Sequence, residues 1–291
     1  MNARPDRPCP RPGLSPPRRH ATRWRASVLT ALALAMGQPA AAARDEAPAA
    51  PSTVRICDDA NEWPPYTFAE RREGQPTGQL LGYSVELIRL ILERRGVSFA
   101  IELLPWKRCL MEVRDGTRYQ MLLNASATPE RERDYLISSA YHQTHSYVFF
   151  DRKRHPGGLG LRSKADLQPF VLGGIRGYAY PMLDDAQRER MLRTGSYPAL
   201  FRMLQLGRVD VLVEDYEAMR GLERTGTLGS LAAAGIASEP LPGTAPLQYH
   251  MMFSRDPRGS ALHQLVNEEL ARLQQSGELQ RLQQRHLPKV P

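Results

Sequence analysis

Short apolar stretches separated by polar turns recur from residue 54 onward, and their spacing predicts alternating strands and helices. Residues 54–57 alternate between apolar and polar positions, as a half-buried strand does. In residues 84–95 apolar side chains recur every three or four positions, which predicts a helix capped by Ser84 and ended by Gly96. The chain therefore opens its ordered part with a strand, a loop and a helix.

The same plan recurs later in the chain. Further strands are predicted at 98–103, 119–123, 170–175 and 209–213, and further helices at 107–114, 198–206, 262–273 and 278–285. The stretches MEVRDGTRYQMLLNAS and FRMLQLGRVDVLVED match as helix, glycine, basic residue, buried strand and polar loop. This internal parallel predicts two α/β lobes, each with a mixed, largely parallel sheet flanked by helices.

The positive charge is concentrated at the N-terminus. The chain has 291 residues and a net charge of +8, but residues 1–43 hold seven arginines against one aspartate. The remaining 32 basic and 30 acidic residues nearly balance, and they form no basic stripe. Nucleic-acid binding needs a clustered cationic surface, so that class is excluded.

The first 43 residues have the layout of a secretory signal peptide. A basic region precedes an apolar core at 26–36, and four alanines follow at 40–43. An apolar core of this length is too short to span a bilayer as a helix. We expect a signal peptide at 1–43, a flexible Pro/Ala-rich lead-in at 44–53, and export to the periplasm.

Three polar loops follow predicted strands, at 58–66, 124–131 and 214–216. Ligands of open α/β sheets bind beyond the carboxyl ends of the strands, so these loops are candidate binding segments. A guanidinium such as Arg131 can hold a carboxylate bidentately, and a carboxylate such as Asp215 can accept from an ammonium. Taken singly, Arg131 could belong to a solvated charge run and Asp215 could cap a helix.

From about residue 54 to 287 the chain resembles the family 3 extracellular solute-binding proteins, the periplasmic amino-acid-binding type. The resemblance is carried, in order, by VRIC, EWPPYTF, GYSVELIRLILERRG, PWKRCL, TPER, ISSAY and GRVDVLVED. It implies the type II periplasmic binding protein fold, in which two lobes joined by two crossover strands close on a ligand. The crossings are expected near 147–151 and 248–254, with one lobe at 54–149 plus 253–291 and the other at 150–252.

The resemblance also assigns the carboxylate end of a ligand. Arg131 matches the arginine that grips the ligand carboxylate, and Ser126 and Thr128 lie in the loop that also contacts it. Gly177 and Tyr178 match the start of a second-lobe helix whose amides can face the carboxylate.

The amino group and side chain of the ligand are assigned in the same way. Asp215 matches the acid that takes the ligand amino group, and Trp63 and Trp106 match aromatics that sandwich its side chain. The chain departs from the family pattern at Tyr119 and Gln120, where an aspartate often follows the first-lobe glycine.

The resemblance implies a monomeric binding protein that delivers a small polar ligand, an amino acid or similar zwitterion, to an inner-membrane ABC permease, without a cofactor or metal. One alternative is a lyase on the same fold, similar to cyclohexadienyl dehydratase, with Glu214 or Asp215 in acid–base chemistry. Another is a ligand-sensing partner of a membrane receptor. His142 and His145 are spaced as metal ligands could be, but no acid or cysteine completes a set.

Two cysteines remain once the leader is removed, Cys57 and Cys109. An oxidising periplasm gives such a pair a reason to form a disulfide, which would stiffen the first-lobe wall of the site. The alternative is two buried free thiols.

Overall fold

The computed structural model describes residues 53–290. The predicted signal peptide at 1–43, and the lead-in up to residue 52, lie outside the described residues. Within 53–290, no helix is both long and apolar enough to cross a membrane.

Strands and helices alternate through most of the described chain. The strands are β1 (Val54–Asp59), β2 (Phe68–Arg72), β3 (Gln75–Leu81), β4 (Phe99–Leu104), β5 (Met121–Ser126), β6 (Leu136–Ile137), β7 (His142–Thr144), β8 (Ser146–Asp151), β9 (Leu172–Ile175), β10 (Leu192–Thr194), β11 (Val211–Asp215), β12 (Ile236–Pro240) and β13 (Leu247–Phe253). The helices are α1 (Tyr83–Arg94), α2 (Trp106–Asp115), α3 (Pro129–Asp134), α4 (Asp185–Arg190), α5 (Tyr197–Gln205), α6 (Tyr216–Arg224), α7 (Pro257–Gln275) and α8 (Glu278–His286).

The strands form two large sheets with one shared plan. The first sheet has the order β4-β1-β5-β13-β6, with β7 also on β13, and the second has the order β10-β9-β11-β8-β12. In each sheet the first three strands pair in parallel and the remaining pairs are antiparallel. The mixed sheets and the internal parallel between α2–β5 and α5–β11 are as the sequence predicted, although parallel pairing is limited to those three strands.

The chain changes sheet twice, and both changes come earlier than the sequence suggested. It leaves the first sheet between β7 and β8, at His145, and returns between β12 and β13, at residues 241–246. The expected crossings at 147–151 and 248–254 instead lie inside β8 and β13. Apolar strands near a crossing look alike in sequence, so only their pairing partners reveal the sheet to which they belong. We call residues 54–144 and 247–290 the first lobe, and 146–240 the second lobe.

Helix α1 begins just before the serine that the sequence suggested as its cap. Gly82 is the N-cap, with φ +119°, and a Cβ at this position would lie 2.3 Å from the Tyr66 carbonyl oxygen. Only glycine therefore lets the helix start this close to the preceding loop. Ser84 does not cap α1: it is fully buried in the first turn, and its hydroxyl donates to Asn124 Oδ1 at 2.6 Å.

The position where the family pattern has an aspartate is occupied by Tyr119 and Gln120. The Gln120 side chain accepts a hydrogen bond from the Arg55 amide at 3.0 Å, and the Tyr119 hydroxyl donates to Glu102 at 2.6 Å. These contacts hold the start of β5 against β1 and β4 without the aspartate. The hairpin β2–β3 was not predicted, because its residues are largely polar and show no clear alternation.

A disulfide joins Cys57 in β1 to Cys109 in α2. Both cysteines are fully buried, and their Cα atoms lie 5.7 Å apart. The bond ties the end of β1 to the helix that starts at Trp106, so two segments that reach the same edge of the first sheet share one covalent anchor.

Replacing both cysteines, Cys57→Ala with Cys109→Ala, should lower the free energy of unfolding by about 2–4 kcal/mol, since the bond closes a long loop in the unfolded chain. Denaturant unfolding of protein purified without reductant measures the change. Wild-type protein refolded under reducing conditions should match the double variant. Equal stability of oxidised wild type and double variant would show that the bond does not form in solution.

Candidate functional site

A cavity of about 50 Å³ lies between the two lobes, at the carboxyl ends of β1, β5 and β11. Both lobes contribute to its lining, which comprises Asp58, Asp59, Trp63, Trp106, Asn124, Ser126, Arg131, Tyr178, Ala179, Tyr180, Pro181, Met182, Val213, Glu214, Asp215, Leu247 and Tyr249. Six of the eight ligand residues suggested by sequence are among them.

Arg131 projects into the cavity from helix α3, whose start is defined by Thr128. The Thr128 hydroxyl accepts a hydrogen bond from the Arg131 amide at 3.3 Å, and Pro129 occupies the first turn. Thr128 thus positions Arg131 as a helix cap and is not among the residues lining the cavity.

Arg131 is only 9% exposed. Its Nη1 donates to the Ser126 carbonyl oxygen at 2.9 Å and to Ser126 Oγ at 3.1 Å, and its Cζ lies 5.6 Å from the Trp106 ring centroid. Burial lowers the pKa of Arg131. Within residues 53–290 no carboxylate lies within ion-pair distance of it. A buried cation without a counter-charge, at the wall of a cavity, can receive an anionic group.

Asp215 ends β11 in the second lobe and is bound by two hydroxyls of the first. Its Oδ1 accepts from Thr144 Oγ1, and its Oδ2 accepts from the Tyr249 hydroxyl at 2.8 Å. It precedes α6 but makes no side-chain capping bond, so its carboxylate does not serve that helix. Burial raises the pKa of Asp215 to about 6, which leaves it mostly ionised at neutral pH.

The two tryptophans lie on the first-lobe wall. Trp63 packs against the Tyr66 and Tyr249 rings, each with a centroid distance of 4.6 Å, so it is both part of the core and part of the cavity wall. Trp106 starts α2 and supports the Arg131 guanidinium. The structure therefore brings Trp63, Trp106, Arg131 and Asp215 to one cavity.

The expected helix at Gly177 and Tyr178 is wrong. Residues 176–184 are irregular and α4 starts only at Asp185. Gly177 has φ +93° and Tyr180 has φ +49°, and Pro181 follows, so the backbone cannot be helical there.

The segment after β9 nevertheless reaches the first lobe. A Cβ on Gly177 would lie 3.0 Å from Lys107 Cγ and 3.4 Å from Trp106 Cδ1, so glycine permits this close approach. Tyr178 lines the cavity, and its hydroxyl donates to Asp59 Oδ2 across the lobes at 2.7 Å.

Sequence reasoning named two of the four acids in this cavity, Asp215 for the clamp and Glu214 for the lyase alternative, and did not single out Asp58 or Asp59. Asp58 and Asp59 end β1, and Glu214 precedes Asp215. Asp58 accepts from Asn124 Nδ2 at 2.6 Å, and burial raises its pKa to about 7. The sequence signal for these acids is a pair of adjacent acidic residues directly after a predicted strand. It occurs as Asp58-Asp59 and again as Glu214-Asp215.

Glu214 is surrounded by tyrosine hydroxyls of its own lobe. The Tyr180 hydroxyl donates to Oε1 at 2.8 Å, and the Tyr197 hydroxyl to Oε2 at 3.4 Å. Burial raises the pKa of Glu214 to about 8, so it is largely protonated at neutral pH when the cavity holds no cation.

The two histidines considered as metal ligands have other partners. His142 Nε2 lies 3.2 Å from Asn124 Oδ1, and His145 Nδ1 lies 2.7 Å from Glu217 Oε1. Across residues 53–290, no group of three or more His, Cys, Asp or Glu side chains is arranged to hold a metal ion.

Proteins with two α/β lobes and a polar cavity between them form a class of ligand-binding proteins, and this chain has that architecture. Residues 54–289 match the model of the bacterial extracellular solute-binding proteins, family 3. The chain belongs to this family and has the type II periplasmic binding protein fold. A comparison with curated protein sequences found no match.

Solved structures share the fold at low sequence identity. The arginine-, lysine-, histidine-binding protein ArtJ from Geobacillus stearothermophilus is 16% identical, with TM-score 0.65, over 82% of this chain and 96% of that one. The substrate-binding protein of an amino acid ABC transporter is 17% identical, with TM-score 0.63, over 80% and 98%. A histidine kinase sensor domain is 19% identical, with TM-score 0.67, over 80% and 95%.

The raised pKa of Glu214 predicts a pH-dependent stability. The folded protein retains a proton that the unfolded chain releases between about pH 4.5 and 8, so this group lowers stability as the pH rises through that window. Relative to wild type, Glu214→Gln should gain at least about 2–4 °C in Tm between pH 5 and 8, the shift that about 1 kcal/mol produces at this size.

Thermal unfolding of ligand-free protein at both pH values measures this difference. Glu189→Gln, at an exposed position of α4, serves as the matched control and should track wild type at both pH values. If Glu214→Gln also tracks wild type, Glu214 is not buried as the structure has it.

Proposed function

We propose that the protein binds a small zwitterion, an amino acid, and delivers it to an inner-membrane ABC transporter. The observation that supports this most strongly is the buried Arg131 guanidinium, which faces the interlobe cavity without an ion-pair partner in the described chain. A ligand carboxylate would supply the missing counter-charge.

The second charge of a zwitterion has a receptor in the opposite lobe. Asp215 lines the same cavity and accepts two neutral hydroxyl donors, so an ammonium would be its first cationic partner there. Arg131 in the first lobe and Asp215 in the second would then hold opposite ends of one ligand, while Trp63 and Trp106 cover it. Binding of this kind stabilises the closed arrangement of the lobes, because each lobe contributes one of the two charges.

The transport role rests on the family and on the predicted leader. Family 3 is a family of extracellular solute-binding proteins, and several structural neighbours are substrate-binding proteins of amino acid ABC transporters. Together with the signal-peptide layout of residues 1–43, this supports export to the periplasm. A sensor role is the second candidate, since a histidine kinase sensor domain has a similar fold.

The lyase alternative has one supporting feature and one opposing feature. Glu214 lies in the cavity with a pKa near 8, which suits a general acid. The described lining of the cavity, however, offers a single guanidinium, so a substrate with two acidic groups would find a counter-charge for only one of them. Failure of an aromatic-precursor acid to turn over would agree with a binding role.

Variants of the two charged residues test the proposed clamp. A thermal-shift screen against amino acids first identifies a ligand. Arg131→Ala and Asp215→Asn should then each weaken binding by about 30-fold to several thousand-fold, because each leaves a buried ligand charge unpaired. Arg131→Lys should also lose much affinity, since an ammonium cannot grip a carboxylate bidentately.

The control is Arg133→Ala, which removes an exposed arginine from the same helix and should bind as wild type does. Calorimetry on the four variants gives the affinities, and circular dichroism checks that each is folded. Normal binding by Asp215→Asn with loss in Arg131→Ala would indicate a plain carboxylate ligand. Normal binding by both would refute the proposed site.

A further inference from the structure

Three acidic side chains in the cavity have no assigned role once Arg131 and Asp215 hold a zwitterion. Asp58 and Asp59 come from the first lobe and Glu214 from the second. All three are at most 5% exposed. Of the described residues that line the cavity, Arg131 is the only one with a cationic side chain. The lining therefore has a surplus of acidic groups over what a simple zwitterion requires.

The three acids are held by neutral donors. Asp59 accepts from the Tyr178 hydroxyl, Asp58 accepts from Asn124 Nδ2, and Glu214 accepts from the Tyr180 and Tyr197 hydroxyls. These hydrogen bonds fix the carboxyl groups in place but supply no charge. Burial raises the pKa of all three, and at Glu214 the charge of Arg193 in the same lobe opposes this shift without cancelling it.

Aromatic rings accompany the acids. The Tyr178 ring centroid lies 6.2 Å from that of Tyr180 and 6.3 Å from that of Tyr197, so three tyrosines cluster between Asp59 and Glu214. Trp63 completes the aromatic part of the lining from the first lobe. Carboxyl groups beside aromatic faces are a setting that favours ammonium and guanidinium groups over neutral ones.

The proposed function assigns the other end of the cavity to the carboxylate and amino groups of the ligand. Arg131 is fixed by its hydrogen bond to Ser126 and by the Trp106 ring. A ligand carboxylate that pairs with Arg131 would therefore lie at that wall. Asp215 is held by Thr144 and Tyr249 and takes the amino group. What remains for the side chain of the ligand is the space bordered by the three additional acids.

Building on the proposed function, we propose that the ligand is an amino acid with a positively charged side chain, whose distal cationic group is received by Asp58, Asp59 and Glu214. A cation in this position lowers the cost of ionising the buried acids and reduces the excess of negative charge in the cavity by one. A neutral side chain would leave them uncompensated, and an acidic one would add a further negative charge.

Two pairs of nearly isosteric ligands test the proposal directly. Arginine and citrulline differ in the charge of the terminal group, as do lysine and norleucine. Calorimetry on wild-type protein at about pH 7.5 should give arginine and lysine affinities at least about 30-fold higher than those of their neutral partners. Glutamate should bind more weakly than citrulline.

Variants then connect the preference to these acids. Asp59→Asn and Glu214→Gln should each reduce the arginine-to-citrulline affinity ratio by about 10-fold or more, because each removes an acid that would be ionised beside the bound cation and retains the shape of the side chain. Glu189→Gln, exposed on α4, should keep the wild-type ratio. Thermal unfolding of each variant confirms that it is folded.

The outcomes separate this inference from the function on which it rests. If citrulline and norleucine bind as tightly as arginine and lysine, and Arg131→Ala abolishes that binding, the charged-side-chain proposal is wrong and the zwitterion clamp stands. If no amino acid binds wild-type protein, both are wrong. If arginine is preferred but the two acid variants keep the full ratio, the distal cation is held elsewhere and the assignment to these acids is overturned.

Discussion

The Arg131 guanidinium is buried at the junction of the lobes, held by Ser126 through one nitrogen and without a carboxylate in ion-pair distance in the described chain. Desolvating a cation costs several kcal/mol unless a counter-charge compensates. Much of the surrounding structure serves to keep it there: Thr128 starts its helix, Ser126 ends β5 beneath it, and Trp106 lies against its face. Under the proposed function, the same fixed position would make the first-lobe wall selective for an anionic group, since that group would restore the missing pairing.

The acidic side of the cavity is the electrostatic complement of this arrangement. Asp215 and Glu214 end a strand of the second lobe, whereas Asp58 and Asp59 end a strand of the first, and all four acids line the one cavity between the lobes. Their carboxyl groups accept hydrogen bonds from hydroxyl and amide donors. Each group can therefore be buried either protonated or ionised, depending on the charge of what occupies the cavity. The site is thus arranged to respond to the charge of its ligand.

The sequence predicts the architecture well because the architecture depends on periodicity. Strand, helix and glycine recur with the same spacing in both lobes, and the sheets have the corresponding shared order. It also predicts that Arg131 and Asp215 follow strands, and strand ends of one sheet edge converge. It fails at Gly177, where positive φ angles at two residues and a proline prevent the expected helix. It places Asp58 and Asp59 in a candidate binding loop and names Glu214 only for a lyase, but it does not predict that the three acids meet in one cavity, because that meeting depends on contacts between the lobes.

The lobes meet through hydrogen bonds at the cavity and through close packing beside it, and one apolar cluster includes residues of both lobes. Tyr178 donates to Asp59, and Thr144 and Tyr249 donate to Asp215, and a hydrogen bond to an ionised carboxylate contributes about 1.5–3 kcal/mol net. Beside them, a Cβ at Gly221 of α6 would lie 2.1 Å from the Pro64 carbonyl oxygen, so this helix meets the first-lobe loop only because it carries a glycine there. Hydrogen bonds of this size would be exchanged for solvent if the lobes separated, whereas a ligand that pairs charges on both lobes would stabilise only the arrangement in which they meet. A ligand can shift such an equilibrium only by its differential affinity for the two arrangements, and under the proposed function that difference would arise at the opposed charges of Arg131 and Asp215.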